Sequence, residues 1–146
     1  MAGVVVRTLE PEDIPLLYHC AGSHVPENDY FEQCCEEISQ NRRQTFWLEL
    51  NQDKKIAQGE EQARALCAGY VHYNRAPFYG PFRRLNIPEI QDLFIAPAYR
   101  RGGLAKSLIQ QCEDLARSEG HSEIGIGVGV GQEFGPAQRL YNSLEI

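Results

Sequence analysis

The segment EIQDLFIAPAYRRGGLAKSLI, residues 89–109, joins an apolar run to a long helical pattern through two arginines and two glycines. Residues 88–95 predict a strand. After Gly103, apolar residues recur every three or four positions and predict a helix to about Ser118. A strand that leads through a glycine turn into a helix is typical of an anion site, because the first helical N–H groups have no partners within the helix.

Four residues equip this turn to hold a phosphate group. Gly102 and Gly103 let the backbone approach a ligand closely, because they carry no Cβ atom. Arg100 and Arg101 add positive charge to a protein whose net charge is −6. Because so acidic a protein is a poor general binder of polyanions, any phosphate that it binds must be held locally.

Three nucleotide-binding patterns can be compared with the turn. The Walker pattern G-x-x-x-x-G-K-[ST] fails, because Arg100 and Ala105 stand where its two glycines belong. The dinucleotide pattern G-x-G-x-x-G fails as well, and the glycines of GIGVGVG recur every second residue, as in a strand. The pattern [QR]-x-x-G-x-[GA] is met by Arg100, Gly103 and Ala105. So short a pattern also occurs by chance. The alternative interpretation, a solvated arginine turn that only caps the helix, therefore stays open.

Composition excludes several classes of protein. No apolar run approaches the roughly 20 residues that cross a bilayer, and the N-terminal segment is too acidic for a signal peptide. The five cysteines have no metal-type C-x-x-C spacing and indicate reduced thiols, and the four histidines form no cluster. The sequence therefore predicts one cytoplasmic domain over residues 1–146 that binds no metal, nucleic acid or membrane.

The remaining segments alternate between strand and helix patterns. Residues 51–62 indicate a polar loop and residues 74–88 an irregular segment. Strands are predicted for residues 3–9, 44–50, 63–73, 88–95 and 122–130, and helices within residues 10–20, 26–40, 103–118 and 133–144. This order predicts a mixed α/β domain in which the third strand pairs back on the second as a hairpin.

Two linked motifs resemble the GNAT superfamily of acetyl-CoA-dependent N-acyltransferases. Residues 89–109 are similar to its pyrophosphate motif, and GPAQRLYNSL, residues 135–144, is similar to the A-x-x-L-Y-x-x-L helix that follows in the family. The first strand, the helix pair and the hairpin also stand in the family's order, so the resemblance covers nearly the whole chain. It implies an α/β fold with a mixed, mostly antiparallel central sheet flanked by helices.

The resemblance also implies how acetyl-CoA is bound. The N–H groups of Arg100 to Ala105 would surround the pyrophosphate, and the backbone of Leu93, Phe94 and Ile95 would pair with the pantetheine arm like an added strand. The cofactor-binding residues implied in this way are Leu93, Phe94, Ile95, Arg100, Arg101, Gly102, Gly103, Leu104, Ala105 and Lys106.

In such enzymes a primary amine attacks the acetyl thioester directly, which requires a base for the ammonium and an acid for the departing thiolate. The resemblance implies that Tyr141 is the acid, and packing on the apolar side of its helix is the alternative. Glu89 is the implied base, and Asp92 competes with it. Strand alternation places these two carboxylates on opposite faces unless a bulge intervenes, and either can instead pair with Arg83 or Arg84.

The chain departs from the family pattern at its end. Members usually continue with a glycine-aromatic pair and two further strands that wall the acceptor site, whereas this sequence stops at YNSLEI. The expectation is a C-terminally short acetyltransferase with acetyl-CoA and an amine as partners, with a homodimer left open. The alternative is a catalytically inactive acyl-CoA-binding module or a truncated remnant.

His72, on the hairpin strand, is a candidate for the acceptor site.

Overall fold

A computed structural model describes residues 3–25, 29–51, 65–77, 80, 84–129 and 136–141, with backbone alone from residue 127 onwards. The strands are β1 (Gly3–Thr8), β2 (Arg43–Asn51), β3 (Ala65–Asn74), β4 (Glu89–Ile95), β5 (Ile124–Gly129) and β6 (Pro136–Tyr141). The α-helices within these ranges are α1 (Ile14–Ala21), α2 (Tyr30–Ser39) and α3 (Leu104–Ser118). None of these helices is both long and apolar enough to cross a membrane.

The six strands form one sheet in chain order, β1 to β6. Neighbouring strands are antiparallel except for β4 and β5, which run parallel. The mixed, mostly antiparallel sheet is therefore confirmed, and so is the hairpin of β2 and β3, which runs from the pair Arg43–Asn74 to the pair Asn51–Ala65.

Helices cover both faces of the sheet, because strand residues alternate between two apolar cores. On one face α3 packs its buried residues Leu108, Cys112 and Ala116 against the sheet. On the other face α1 and α2 pack around Leu17 and Phe31. The helix predicted after Gly103 is confirmed: it begins at Leu104 and ends before Gly120, whose φ of +89° suits a glycine.

The parallel strands β4 and β5 separate after a short contact. Among the described residues, their register joins only Glu89 with Gly125 and Ile90 with Ile126. Beyond Ile90, the edge of β4 that faces β5 has no partner strand in the described part of the chain. This gap lies directly before the glycine turn and leaves strand backbone available to a ligand.

A bulge interrupts β4 beside this gap. The register between β3 and β4 shifts between Tyr70 and His72, and Asp92 has a φ of +50°. Bulges bend a strand and redirect its side chains. Asp and Asn tolerate this left-handed conformation better than most residues, which suits aspartate to the position.

The helix predicted for residues 133–144 is wrong where the structure describes it. Residues 136–141 form β6, which pairs with β5 from Gly129–Pro136 to Ile124–Tyr141. Six residues are too few to separate helical from strand periodicity, and pairing with β5 satisfies the backbone groups of both strands. Residues 133–135 and 142–144 lie outside the described residues, as does the predicted loop beyond Asn51.

Candidate functional site

A cleft of about 550 Å³ lies at the end of β4 and the start of α3. The structure brings eight of the ten residues predicted for cofactor binding to its lining: Leu93, Phe94, Ile95, Arg100, Arg101, Gly103, Leu104 and Ala105. Gly102 and Lys106 belong to the same turn and helix but are not among the lining residues. Sequence reasoning missed His24 and Tyr99, which also line the cleft.

The turn before α3 has the backbone of an anion site. Gly103 is the N-cap residue with a φ of +78°, and Arg101 has a φ of +70°. A Cβ atom built on Gly103 meets nothing within 4 Å, so this position faces open space. The first N–H groups of α3 have no partner within the helix, and the helix dipole adds positive potential there.

Arg100 holds the turn against the end of β4. Its Nε donates a hydrogen bond of 2.7 Å to the carbonyl oxygen of Ile95. Its guanidinium carbon lies 5.5 Å from the centroid of the Phe94 ring, as in a cation–π contact. The arginine therefore fixes the shape of the cleft in addition to contributing charge.

A polar network begins at the bulge, where Asp92 accepts hydrogen bonds from three side chains. The Nε2 atom of His24 lies 2.7 Å from Oδ1, and the Tyr70 hydroxyl donates to Oδ2 over 3.1 Å. The Tyr30 hydroxyl also donates to Oδ2. Burial and the nearby carboxylate raise the pKa of both tyrosines, so both stay protonated.

His72 extends this network into the core. It is fully buried, with Nε2 at 2.9 Å from the Tyr30 hydroxyl and Nδ1 at 2.8 Å from the Thr45 hydroxyl. Because Tyr30 gives its only proton to Asp92, His72 must donate from Nε2 and accept at Nδ1 from Thr45. Burial lowers the pKa of His72 well below its usual value, so its ring is neutral.

A second cavity of about 240 Å³ opens beside this network, between α2 and β4. We call it the polar cavity, and its lining is Tyr30, Gln33, Cys34, Glu37, Arg43, His72, Gln91 and Asp92. Within it, Arg43 and Glu37 form an ion pair of 2.8 Å. The bond from His24 to Asp92 joins a residue of the cleft to a residue of the polar cavity.

Glu89 lies behind this lining and is 1% exposed. Its Oε1 accepts a hydrogen bond of 2.6 Å from Gln91, and its Oε2 has no partner within the described part of the chain. Burial raises the pKa of Glu89, against the opposing effect of the Gln91 bond. Gln91 and Asp92 are consecutive and both line the polar cavity, because the bulge at Asp92 interrupts the alternation of β4. Glu89 is not among the lining residues of this cavity.

Tyr141 is placed by its backbone alone, at the end of β6 opposite Ile124. Its side chain lies outside the described residues, so its predicted role stays a prediction. Within the described residues, no group of three or more His, Cys, Asp and Glu side chains is arranged to hold a metal ion.

The residues of the polar cavity come from α2, β2, β3 and β4, and only His72 and Asp92 were singled out in the sequence. Tyr30 was missed because it lies in a polar helical stretch without a recognisable motif. The one signal that pointed to His72 was its position on the hairpin strand β3.

Comparison with known proteins gives the family. The profile of the GNAT acetyltransferase family matches residues 13–145. No curated protein sequence matches the chain significantly.

Solved structures share the fold at low sequence identity. One is the aminoglycoside 6'-N-acetyltransferase AAC(6')-Ih from Acinetobacter baumannii, with 17% identity, a TM-score of 0.63, and coverage of 90% of this chain and 84% of that chain. AAC(6')-Iy, in complex with the bisubstrate analogue CoA-S-monomethyl-acetylneamine, has 16% identity, a TM-score of 0.62 and the same coverage of 90% and 84%. The ribosomal-protein-S18-alanine N-acetyltransferase from Escherichia coli has 18% identity and a TM-score of 0.55, with 89% and 70% covered. With its profile match over most of its length and its mostly antiparallel sheet split beside a glycine turn, this chain belongs to the GNAT family of acetyltransferases.

Proposed function

We propose that the protein transfers the acetyl group of acetyl-CoA to a primary amine. The observation that carries this proposal is the continuous path from the turn before α3, along the unpaired edge of β4, to the bulge at Asp92. One end of the path offers helical N–H groups to a pyrophosphate, and the other end lies beside a cavity lined with polar groups. The neighbour solved with a CoA bisubstrate analogue supports this assignment.

Acetyl-CoA, when bound, supplies an acyl thioester that an amine can attack. Residues 100–106 hold its pyrophosphate through backbone N–H groups, and the β4 backbone at residues 93–95 pairs with the pantetheine arm as an added strand would. This arrangement points the reactive end of the donor towards the bulge. Holding two reactants side by side is itself a large part of catalysis.

Glu89 is the proposed proton acceptor for the ammonium. A carboxyl group with a raised pKa is suited to accept a proton near neutral pH, and its unpaired Oε2 is available for one. Because Glu89 is buried and Gln91 lies between it and the polar cavity, this role requires a water molecule to relay the proton. Tyr141 is the proposed proton donor to the thiolate, on the strength of the L-Y motif alone.

The compartment that fits this function is the cytoplasm. All five cysteines are free thiols. Free thiols persist where glutathione and thioredoxin keep them reduced, which supports a cytoplasmic location.

The experiment that tests the function is an assay of thiol release from acetyl-CoA with a panel of amines. Acetyl-CoA should also raise the melting temperature, because a ligand that binds only the native state stabilises it, and ATP and NAD should raise it far less. Stabilisation by acetyl-CoA without thiol release on any amine would instead establish the alternative, a non-catalytic acyl-CoA-binding module. Equal stabilisation by ATP would overturn the assignment of the cleft.

A further inference from the structure

The polar cavity is a separate compartment from the cleft but shares a wall with it. Asp92 and Leu93 are consecutive residues at the bulge, and Asp92 lines the polar cavity whereas Leu93 lines the cleft. His24 lines the cleft and forms a hydrogen bond with Asp92, so it is part of the wall between the two sites. A group bound to Asp92 therefore lies next to a ligand that runs along Leu93.

Among the side chains that line the polar cavity, none is a cationic partner of Asp92; its contact with His24, at 2.7 Å, comes from the cleft side. Arg43 is paired with Glu37, and the buried ring of His72 is neutral. Tyr30 is protonated and donates to Asp92. The remaining anion, Asp92, is 26% exposed, so a cation can reach it.

The hydrogen bonds of Asp92 leave room for one more donor. A carboxylate offers about four lone-pair positions. His24, Tyr30 and Tyr70 occupy three of them. An ammonium group is a strong donor without any acceptor, and it complements the position that remains.

We propose that the polar cavity binds the protonated primary amine of an unbranched aliphatic acceptor, with Asp92 as its ion-pair partner. This inference rests on the proposed function, because it names the acceptor of that reaction. The polar cavity, of about 240 Å³, has less than half the volume of the cleft, which suits a slender unbranched acceptor. An amine held at Asp92 lies one residue along β4 from Leu93, where the proposed donor runs. Gln91 lines the same cavity and donates a hydrogen bond to Glu89, the proposed proton acceptor.

A titration of the wild-type protein tests binding without any substitution. Butylamine should shift the NMR resonances of the Tyr30 and His72 rings and leave those of His121, at the end of α3, unchanged. Butanol, which has no charge, and tert-butylamine, which is branched at the nitrogen, should shift neither ring. Equal shifts with butanol, or no shift with butylamine, would overturn the proposal.

The variant Asp92→Asn tests the ion pair. Asparagine tolerates the φ of +50°, so the bulge survives the change. Removing the charge should raise the KM for butylamine at least about tenfold and leave the acetyl-CoA dissociation constant unchanged. Asp114→Asn, on the exposed face of α3, is the matched control and should change neither constant.

The outcomes separate this inference from the proposed function. If the wild type acetylates amines but Asp92→Asn keeps the same amine KM, the acceptor binds elsewhere and the inference is wrong. If the wild type acetylates no amine, the proposed function fails, while the butylamine titration still decides whether the cavity binds an ammonium. Spermidine and a lysine-containing peptide, compared as substrates, then distinguish a free polyamine from a protein side chain.

Discussion

The Nε2 atom of His24 lies 2.7 Å from Oδ1 of Asp92, and this contact joins the cleft to the polar cavity. The same imidazole stacks on Phe94, with ring centroids 4.3 Å apart and planes inclined by 24°. His24 thus touches both the aromatic wall of the cleft and the carboxylate of the polar cavity. We expect changes at this residue to affect acceptor binding more than donor binding, because its hydrogen bond points towards the acceptor side.

His24→Phe tests this expectation. Phenylalanine keeps the stacking on Phe94 but gives Asp92 no donor, so the carboxylate is less well oriented. We expect the amine KM to rise roughly threefold to tenfold, the effect of one ordinary hydrogen bond, with the acetyl-CoA dissociation constant unchanged. His19→Phe, at an exposed position of α1, is the control and should behave as the wild type. A variant that loses acetyl-CoA binding alone would contradict the link to the acceptor side.

Gly103→Ala tests the anion site. The new methyl group faces open space in the free protein but stands where a phosphate would approach the turn. Acetyl-CoA should bind at least about tenfold more weakly, because hydrogen bonds to charged groups contribute roughly 1.5–3 kcal/mol each. Calorimetry with acetyl-CoA measures the change.

Gly120→Ala is the matched control for that variant. Gly120 also has a positive φ, of +89°, and also meets nothing within 4 Å of an added Cβ, but it lies at the other end of α3. Both variants should lose about 1–2 kcal/mol of stability, the cost of the left-handed conformation for alanine. Equal acetyl-CoA affinity in the two variants would place the pyrophosphate away from the turn.

Glu89→Gln should stabilise the protein at neutral and higher pH. Burial raises the pKa of Glu89 in the folded state. The protonated carboxyl group therefore contributes stability that is fully present below the ordinary glutamate pKa of 4.5. That stability is lost as the pH rises through the folded-state pKa. Melting temperatures of wild type and variant should therefore coincide near pH 4 and diverge above it, with about 2–4 °C for each kcal/mol of penalty removed.

The same variant tests proton transfer. If Glu89 accepts the proton of the amine, Glu89→Gln should lower kcat by about 100-fold to 10,000-fold with little change in either substrate's binding. Glu36→Gln, at an exposed position of α2, is the control for both measurements. A more stable variant with normal kcat would leave Glu89 as a structural carboxyl group.

Tyr141→Phe tests the proposed proton donor. The change removes a hydroxyl and little volume, so the loss should fall on turnover: about 100-fold in kcat with an unchanged acetyl-CoA dissociation constant. Steady-state kinetics and calorimetry measure the two quantities. A packing role predicts the reverse, a lower melting temperature with near-normal turnover, and that result would remove Tyr141 from the mechanism.

The sequence alone determined the elements whose signals lie within a few residues. The turn at residues 100–105, the limits of α3 between Gly103 and Gly120, and the strands with β-branched alternation are all local features, and all agree with the structure. Eight of the ten lining residues of the cleft could be named in advance because they are nearly contiguous in the chain. For the same reason the pyrophosphate motif was recognisable within residues 89–109.

Tertiary structure decided everything that depends on pairing between distant segments. The bulge at Asp92 arises from the register of β3 against β4, and it brings Gln91 and Asp92 into one cavity. The network of His24, Tyr30 and His72 joins three separate elements, so no local spacing announces it. The segment 136–141 became a strand because β5 offers it a partner, and such contacts override local preference.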